Sequence, residues 1–309
     1  MNLKNKKILL TGGHGFLGKH VFSELSKREP AEIFIPHSET LDLRERKNCQ
    51  KAVKNKDVVI HLAGKVGGIG FNQKCPGEIF YDNLIMGVEL MEAARKEGAE
   101  KFIVAGTICA YPKFSPVPFK EEHLFTGYPE ETNAPYGLAK LMLLVQAQAY
   151  RQQYEFNTIY LLIVNLYGHG DNFDPEASHV IPALIKKIYE AIRLDKEFIE
   201  VWGSGKTSRE FLYVEDAARA IVLATEKYDK PEPVNIGAGF ETTIKELAEK
   251  ICSIMNYRGE IRWDLSKPDG QPRRCLDVSK AEKEFGFKAE TDFENGLRKT
   301  IDWFYSTQP

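Results

Sequence analysis

A glycine-rich turn near the start of the chain constrains the fold more than any other feature. Residues 7–10 form a short apolar run typical of a buried strand, and residues 16–27 follow with helical spacing. Between them stand Gly12, Gly15 and Gly18. In a strand–turn–helix unit, such glycines permit a tight turn, admit a pyrophosphate to the backbone and let the helix pack closely on the strand. We therefore predict a dinucleotide-binding turn, with a plain glycine-rich turn as the alternative.

Strand and helix patterns then alternate along the first half of the chain. This alternation predicts an α/β protein with a Rossmann-type doubly wound parallel sheet and helices on both faces. Ligands bind such sheets beyond the carboxyl ends of the strands, so Phe16, Leu17 and Ala63 are predicted to line the cofactor site. The predicted strands are residues 7–10, 33–35, 57–61, 101–105 and 158–164, and the predicted helices are residues 16–27, 81–96 and 136–154.

The pattern becomes less regular after about residue 168. Predicted helices at residues 179–193 and 213–226 are separated by short strand-like runs and loops. We predict a dinucleotide-binding domain over residues 1–168 and a smaller, mixed α/β substrate domain over residues 169–309, with some later segments returning to the first.

Composition excludes several classes of function. The formal net charge of −2 predicts no nucleic-acid partner, and no apolar run approaches the roughly 20 residues that span a bilayer, so no membrane partner is expected either. The amino terminus lacks the pattern of a secretory signal. The five cysteines are scattered without metal-like spacing. These features predict no metal site and a reducing, cytoplasmic location.

A tyrosine and a lysine at helical spacing form the first catalytic candidate. Tyr136 and Lys140 are four residues apart, so they share one face of the predicted helix. A lysine ammonium beside the phenol is expected to lower the tyrosine pKa, and Thr107 can donate a second hydrogen bond to a substrate oxygen. The three residues predict general acid catalysis of ketone reduction beside a nicotinamide, which Lys140 can also hold by its ribose. The alternative is a surface pair.

A thiol and an imidazole form the second candidate. Cys109 follows a predicted strand and His179 opens a predicted helix. A thiolate and an imidazolium suit removal and return of protons at carbons beside a ketone, and the ordinary pKa of about 6.5 suits histidine as donor. On the residues alone, a small buried cysteine and a helix-start histidine are equally good interpretations.

The end of the second strand favours NADP(H) over NAD. An NAD site usually has an acidic residue there, and this chain has none at that place. His37, Ser38 and Arg44 could instead accept a 2′-phosphate. Asp42 either lies on the adenine side or caps a helix beginning near residue 44.

Taken together, the glycine turn, Thr107 and the Tyr136/Lys140 pair resemble the extended short-chain dehydrogenase/reductase superfamily over essentially the whole chain. Longer strings are similar to one branch, the GDP-4-keto-6-deoxy-mannose 3,5-epimerase-4-reductases. These strings are residues 61–69, 133–140, 165–168, 171–173, 178–185, 201–205 and 209–212.

The resemblance implies a substrate, a cofactor and roles for individual residues. It implies NADPH-dependent 3,5-epimerisation and then 4-reduction of a GDP-4-keto-sugar, by a homodimer, with Cys109 and His179 as base and acid. It also implies contacts to the cofactor and to the GDP-sugar. The implied cofactor contacts are Ile163, Asn165, Leu166 and His179, and the implied sugar-nucleotide contacts are Lys187, Trp202 and Arg209, with Asp269 in the 269–274 loop a further candidate.

Two departures from that branch bear on the substrate. Residues 106–112 read Gly-Thr-Ile-Cys-Ala-Tyr-Pro where the branch usually has Gly-Ser-Ser-Cys-Ile-Tyr-Pro, which changes the packing around the thiol. His169 stands where a proline is usual. Alternatives are therefore the same chemistry on another GDP-4-keto-sugar, such as a dideoxy or heptose analogue, and 3,5-epimerisation without net reduction. Further alternatives are a UDP- or dTDP-sugar enzyme and a non-catalytic NADP-binding sensor.

Overall fold

The computed structural model describes residues 1–174, 178–267 and 269–308. Its centre is a six-stranded sheet in the order β10-β5-β4-β3-β1-β2, in which every neighbouring pair is parallel. The doubly wound parallel sheet predicted from the sequence is confirmed. Its strands are β1 (Lys7–Thr11), β2 (Glu32–Phe34), β3 (Val58–His61), β4 (Lys101–Thr107), β5 (Thr158–Ile163) and β10 (Val234–Ile236).

Helices cover this sheet in two groups. One group joins α1 to α7, and in the other α4 packs against both α2 and α5. Strands β3, β4 and β5 are buried along their whole length, because helices on both faces leave no side of a parallel sheet in water. The helices are α1 (Phe16–Ser26), α2 (Arg46–Val53), α3 (Ile69–Lys74), α4 (Pro76–Glu97), α5 (Ala134–Tyr154), α6 (Val180–Arg193), α7 (Val214–Lys227), α8 (Ile244–Ile254), α9 (Ser279–Phe285) and α10 (Phe293–Ser306).

The later part of the chain adds three small sheets beside the main one. In them β6 pairs with β9, β7 pairs with β12, and β8 lies between β11 and β13. Apolar faces of α6, α8 and α10 close a second hydrophobic core against these strands. The strands are β6 (Asn165–Tyr167), β7 (Phe198–Trp202), β8 (Ser208–Arg209), β9 (Phe211–Tyr213), β11 (Thr242–Thr243), β12 (Glu260–Asp264) and β13 (Arg273–Arg274).

Segments that follow residue 168 contribute both to the first core, which surrounds the six-stranded sheet, and to the second core. Strand β10 pairs with β5 in the main sheet, and the buried faces of α7 and α9 belong to the first core. The chain therefore crosses between the two cores more than once, which places the carboxyl ends of β4 and β5 beside loops of the smaller sheets.

Helix α2 differs from expectation at its start. It begins at Arg46 after Glu45, so the suggestion that Asp42 caps a helix near residue 44 is wrong. Oδ1 of Asp42 instead accepts a hydrogen bond from the backbone N–H of Arg44 at 3.0 Å, which makes a local turn before the helix.

Among the residues that the structure covers, we find no helix with the length and apolar character needed to cross a membrane.

Candidate active site

The glycine turn lies where the sheet reverses its winding direction. Strand β1 has β2 on one side and β3 on the other, so the turns after β1 and β3 meet at this point. Gly12 has a φ of +72°, and a side chain there would stand 2.8 Å from the backbone nitrogen of Ala63. At Gly18 a side chain would overlap the carbonyl of Gly12. The first and third glycines are thus required by the protein's own packing.

The middle glycine and Lys140 fit a dinucleotide. Gly15 is exposed at the start of α1, where backbone N–H groups face outward and favour an anion. Lys140 is only 2% exposed, yet its ammonium donates one long hydrogen bond, 3.4 Å to the carbonyl of Ala63, among the contacts of the described chain. A buried ammonium with donors to spare matches the polar ribose that the cofactor would bring.

Strand β4 ends on the hydroxyl that links the two catalytic candidates. Thr107 is the last residue of β4, opposite Ile163 at the end of β5. Its hydroxyl accepts a hydrogen bond from the backbone N–H of Cys109 at 3.2 Å, and it lies close enough to the phenol of Tyr136 to affect the pKa of that group. Thr107, Cys109 and Tyr136 therefore form one contiguous group at the carboxyl edge of the sheet.

A close backbone contact brings helix α5 to this group. A Cβ atom at Gly137 would overlap the carbonyl oxygen of Cys109. The absence of a side chain lets α5 rest directly on the short 3₁₀ turn Ile108–Ala110. This contact sets how far Tyr136 stands from the thiol.

The pKa of Tyr136 differs from the sequence expectation. Burial raises this pKa above its ordinary value, the neighbouring Cys109 raises it further, and the hydrogen bond from Thr107 lowers it only in part. Burial also lowers the pKa of Lys140 to about 8. The predicted lowering of the tyrosine pKa by the lysine is therefore wrong for the protein alone, because burial of the phenol raises its pKa and Lys140 is not among the groups that shift it.

Arg274 is a neighbour of the thiol that the sequence did not single out for this role. Its Nη1 lies 3.6 Å from Sγ of Cys109, and its Nε donates to Oε1 of Gln271 at 2.8 Å. The arginine is 7% exposed, and Glu130 stands 3.9 Å from its other terminal nitrogen. The sulfur of Cys109 therefore has a fixed, buried guanidinium beside it.

His179 is the other half of the predicted acid–base pair. It precedes α6 and makes no side-chain capping hydrogen bond, and the carbonyl of the preceding Ser178 lies against the loop at Gly68 after β3. Although the side chain is exposed, the surrounding protein desolvates it and lowers its pKa. The pKa of His179 therefore lies below the ordinary value that was expected for a proton donor.

The residues expected to contact the sugar nucleotide lie in two separate parts of the smaller sheets. Lys187 on α6 donates to the carbonyl of Glu200 on β7 at 2.9 Å, and burial lowers the lysine pKa. Trp202 ends β7 and is 56% exposed, with the ammonium of Lys267 5.2 Å from its ring centre. Trp202 is therefore a surface residue and does not belong to either hydrophobic core. Its open ring face is available to a ligand.

Arg209 and Asp269 hold one loop together. Arg209 donates to the carbonyls of Gln271 at 2.6 Å and of Asp269 at 3.1 Å, and burial lowers its pKa to about 10. The carboxylate of Asp269 accepts hydrogen bonds from the backbone N–H and the hydroxyl of Ser204 at 2.7 and 2.8 Å. Asp269 thus ties the 203–205 turn to the loop that carries Arg274.

On the adenine side, the candidate residues differ in availability. His37 and Ser38 are exposed, whereas Arg44 is paired with Asp42 at 2.7 Å and with Asp82 at 3.3 Å. A 2′-phosphate at this position would find two open polar side chains and a guanidinium already shared between two carboxylates.

A buried carboxylate that the sequence did not single out fixes the backbone on the side of the site formed by the smaller sheets. Glu210 is fully buried and accepts backbone N–H bonds from Ala238, Gly239 and Leu276 at 2.6 to 2.7 Å. Asn165, at the start of β6, donates to the carbonyl of Glu210 at 2.9 Å, beside the half-buried Leu166. The adjacent charges of Arg209 and Glu210 were a possible sequence signal for this buried carboxylate, because one charge faces the site and the other faces the protein interior.

Fold and site together define the class of this protein. The model of the NAD dependent epimerase/dehydratase family matches residues 8–237, and the chain belongs to that family.

Its relatives are more specific. The chain is 40% identical to a GDP-L-fucose synthase of Sinorhizobium fredii, covering 98% of this chain and 97% of the relative. It is 37% identical to a GDP-L-colitose synthase of Yersinia pseudotuberculosis, covering 96% and 97%. A solved GDP-L-fucose synthetase from Naegleria fowleri bound to NADP superposes with a TM-score of 0.85 at 30% identity, covering 98% and 96%. The predicted resemblance is confirmed.

Proposed function

We propose that this protein converts GDP-4-keto-6-deoxy-D-mannose to GDP-L-fucose by 3,5-epimerisation followed by NADPH-dependent reduction at C4. One observation carries the proposal. The hydroxyl of Thr107 accepts a hydrogen bond from the backbone N–H of Cys109 and lies beside the phenol of Tyr136, so one substrate carbonyl can face a thiol and a phenol together. The names of the relatives at 34 to 40% identity support the same substrate.

The epimerisation uses the acidity of protons on carbons beside the 4-ketone. Cys109, as thiolate, removes one of these protons, and the C–H electron pair becomes the enolate. Thr107 and Tyr136 donate hydrogen bonds to the enolate oxygen, where the charge develops. The buried guanidinium of Arg274 lies 3.6 Å from the sulfur. His179, in its protonated form, returns a proton to the opposite face, which inverts the carbon.

The reduction uses the same oxygen. NADPH, when bound, supplies the hydride. Tyr136 protonates the 4-oxygen as its charge rises. The ammonium of Lys140, buried beside Ala63, holds a ribose hydroxyl and favours the tyrosinate left after proton transfer. The glycine turn at Gly12, Gly15 and Gly18 receives the pyrophosphate.

Recognition of GDP falls to side chains around the smaller sheets. The exposed ring of Trp202 offers a face to the nucleotide, and Lys187 lies on the neighbouring helix. Arg209 is the candidate for the diphosphate, since a guanidinium binds phosphate oxygens in pairs. Asp269 holds this part of the candidate site in place by accepting a hydrogen bond from the backbone N–H of Ser204.

An isotope experiment tests the proposal. The protein is incubated with GDP-4-keto-6-deoxy-mannose in D₂O, and NADPH is added afterwards. We expect deuterium at C3 and C5 before NADPH is added, and GDP-L-fucose with one NADPH oxidised per product afterwards, both read by NMR. Reduction without deuterium incorporation would leave a plain 4-reductase. Incorporation without NADPH oxidation would leave an epimerase.

A second substrate is favoured by one relative. The similarity to the GDP-L-colitose synthase of Yersinia pseudotuberculosis points to a GDP-4-keto-3,6-dideoxy sugar, which has no 3-hydroxyl to recognise. Competition between the two keto-sugars at equal concentration decides which has the higher kcat/KM.

We also infer a homodimer through α4 and α5, in a reducing cytoplasm. The two helices pack side by side and expose apolar side chains, among them Tyr81 at 59% and Val145 at 44%. All five cysteines are unpaired, which fits a reducing compartment. Light scattering after size exclusion should give twice the chain mass of 35.1 kDa, and Val145→Glu should return the monomer.

A further inference from the structure

Two histidines and a glutamate from distant parts of the chain meet outside the candidate active site. His20 lies on α1, His169 follows β6 in the loop, and Glu215 is in the first turn of α7. Each offers one ligand atom, and the three atoms lie within 4.8 Å of one another. None of the three belongs to the Thr107, Cys109 and Tyr136 group.

The hydrogen bonds around the two imidazoles hold them in place. Nδ1 of His169 is 2.9 Å from the hydroxyl of Tyr213, and its Nε2 faces Glu215 at 3.9 Å. Nε2 of His20 is 3.0 Å from the carbonyl of His169, so that nitrogen carries the proton and Nδ1 keeps its lone pair. Metal-ligating histidines commonly have their second nitrogen fixed by a carbonyl or hydroxyl in this way.

We propose that His20, His169 and Glu215 bind a divalent transition metal ion, Zn²⁺ by preference. Two imidazoles and a carboxylate are a common ligand set for Zn²⁺, with water completing four-coordination.

The ion has a route from solvent. His20 and Glu215 both line an open cavity of about 660 Å³, whose other walls carry Asp216 and Asp292 among several charged residues.

The bound ion would stabilise the fold and would take no part in the reaction of the keto-sugar. It joins α1, which begins at the glycine turn, to the loop after β6 and to α7, so the bound ion clamps three elements of the first core. We expect Zn²⁺ to raise the midpoint of thermal unfolding and to leave the isotope exchange rate unchanged at saturating NADPH.

Spectroscopy of the full-length protein tests the site. Chelator-treated protein is titrated with Co²⁺, whose visible absorption reports tetrahedral nitrogen and oxygen ligands, and then with Zn²⁺ in competition. We expect one equivalent to bind, with affinity lowered about 10- to 100-fold in Tyr213→Phe, which removes only the supporting hydroxyl. His169→Gln and His20→Gln should abolish the visible band. His123→Gln is the matched control, since that histidine also faces a glutamate, Glu122, at 4.0 Å.

Three results would overturn the proposal. These are no binding at one equivalent, an unchanged spectrum in both His20→Gln and His169→Gln, and binding lost in Cys109→Ser with a thiolate charge-transfer band in the wild type. Circular dichroism of each variant separates loss of the site from loss of the fold.

Discussion

The guanidinium of Arg274 lies 3.6 Å from the sulfur of Cys109, although 165 residues separate them in the chain. The arginine is buried and is fixed by Gln271, so the positive charge is held beside the thiol before any substrate arrives. Strand β13, which carries Arg274, pairs with β8, which carries Arg209. The small sheet that contains β8 and β13 therefore places Arg274 beside the thiol and Arg209 at the candidate nucleotide site.

Replacing Arg274 by glutamine should slow the reaction of Cys109 with iodoacetamide at fixed pH by about tenfold or more, because a hydrogen bond to a charged group is worth roughly 1.5–3 kcal/mol. Deuterium incorporation into the keto-sugar should fall by a similar factor. Arg273→Gln is the control, since Arg273 is exposed and pairs with Glu241. Equal alkylation rates in the two variants would remove Arg274 from the mechanism.

Gly137→Ala should destabilise the protein by about 1–3 kcal/mol, since the new methyl group overlaps the carbonyl of Cys109 and α5 must shift. Chemical denaturation measures the change. Gly77→Ala, in α4 with no atom within 4 Å of the added Cβ, should be neutral or stabilising by up to about 1 kcal/mol. If both variants lose the same stability, the close contact at Gly137 is not what matters.

Lys140→Met should be more stable than the wild type yet bind NADPH poorly. Burial lowers the lysine pKa from 10.5 to about 8, which corresponds to about 3 kcal/mol of cost for the buried charge. Because the folded pKa lies below the unfolded one, this cost is full below pH 8 and fades as the pH rises toward 10.5. The stability gain of the variant should therefore shrink over that window.

The free energy of unfolding measured at several pH values checks this sign, and NADPH titration followed by fluorescence checks the binding. Lys101→Met is the comparison. Lys101 is also buried with a pKa of about 8, but its ammonium donates to carbonyls at Thr225 and Tyr228, away from the glycine turn. NADPH affinity should survive in that variant, and loss in both would show a general effect of the substitution.

Tyr136→Phe and Cys109→Ser should separate the two halves of the reaction. Loss of the phenolic proton should slow NADPH oxidation by about 10²–10⁴-fold while deuterium incorporation persists at a reduced rate. Cys109→Ser should abolish incorporation and keep some reduction. NMR and absorbance at the nicotinamide band read the two steps in one sample. Full-rate incorporation in Cys109→Ser would assign the base elsewhere.

Much of the first core could be predicted from the sequence. The continuous apolar runs of β3 to β5 and the glycine turn are local signals, and the structure places those strands within a few residues of the predicted bounds. Helix α2 was expected only as an alternative beginning near residue 44, because only Cys49, Ala52 and Val53 of its eight residues are buried, which leaves a weak apolar stripe. The short strands β6, β8, β9, β11 and β13 carry too few residues for a period to show.

The sequence by itself determined the sheet, the turn at Gly12 and the spacing of Tyr136 and Lys140, since each depends on residues close together in the chain. Tertiary structure alone decided which charges meet. Arg274 came to Cys109, Glu210 to three backbone N–H groups, and His169 to His20, across separations that no pattern encodes. It also reversed the expected pKa direction of Tyr136. Desolvation depends on everything packed around a group, and the chain shows that only once it is folded.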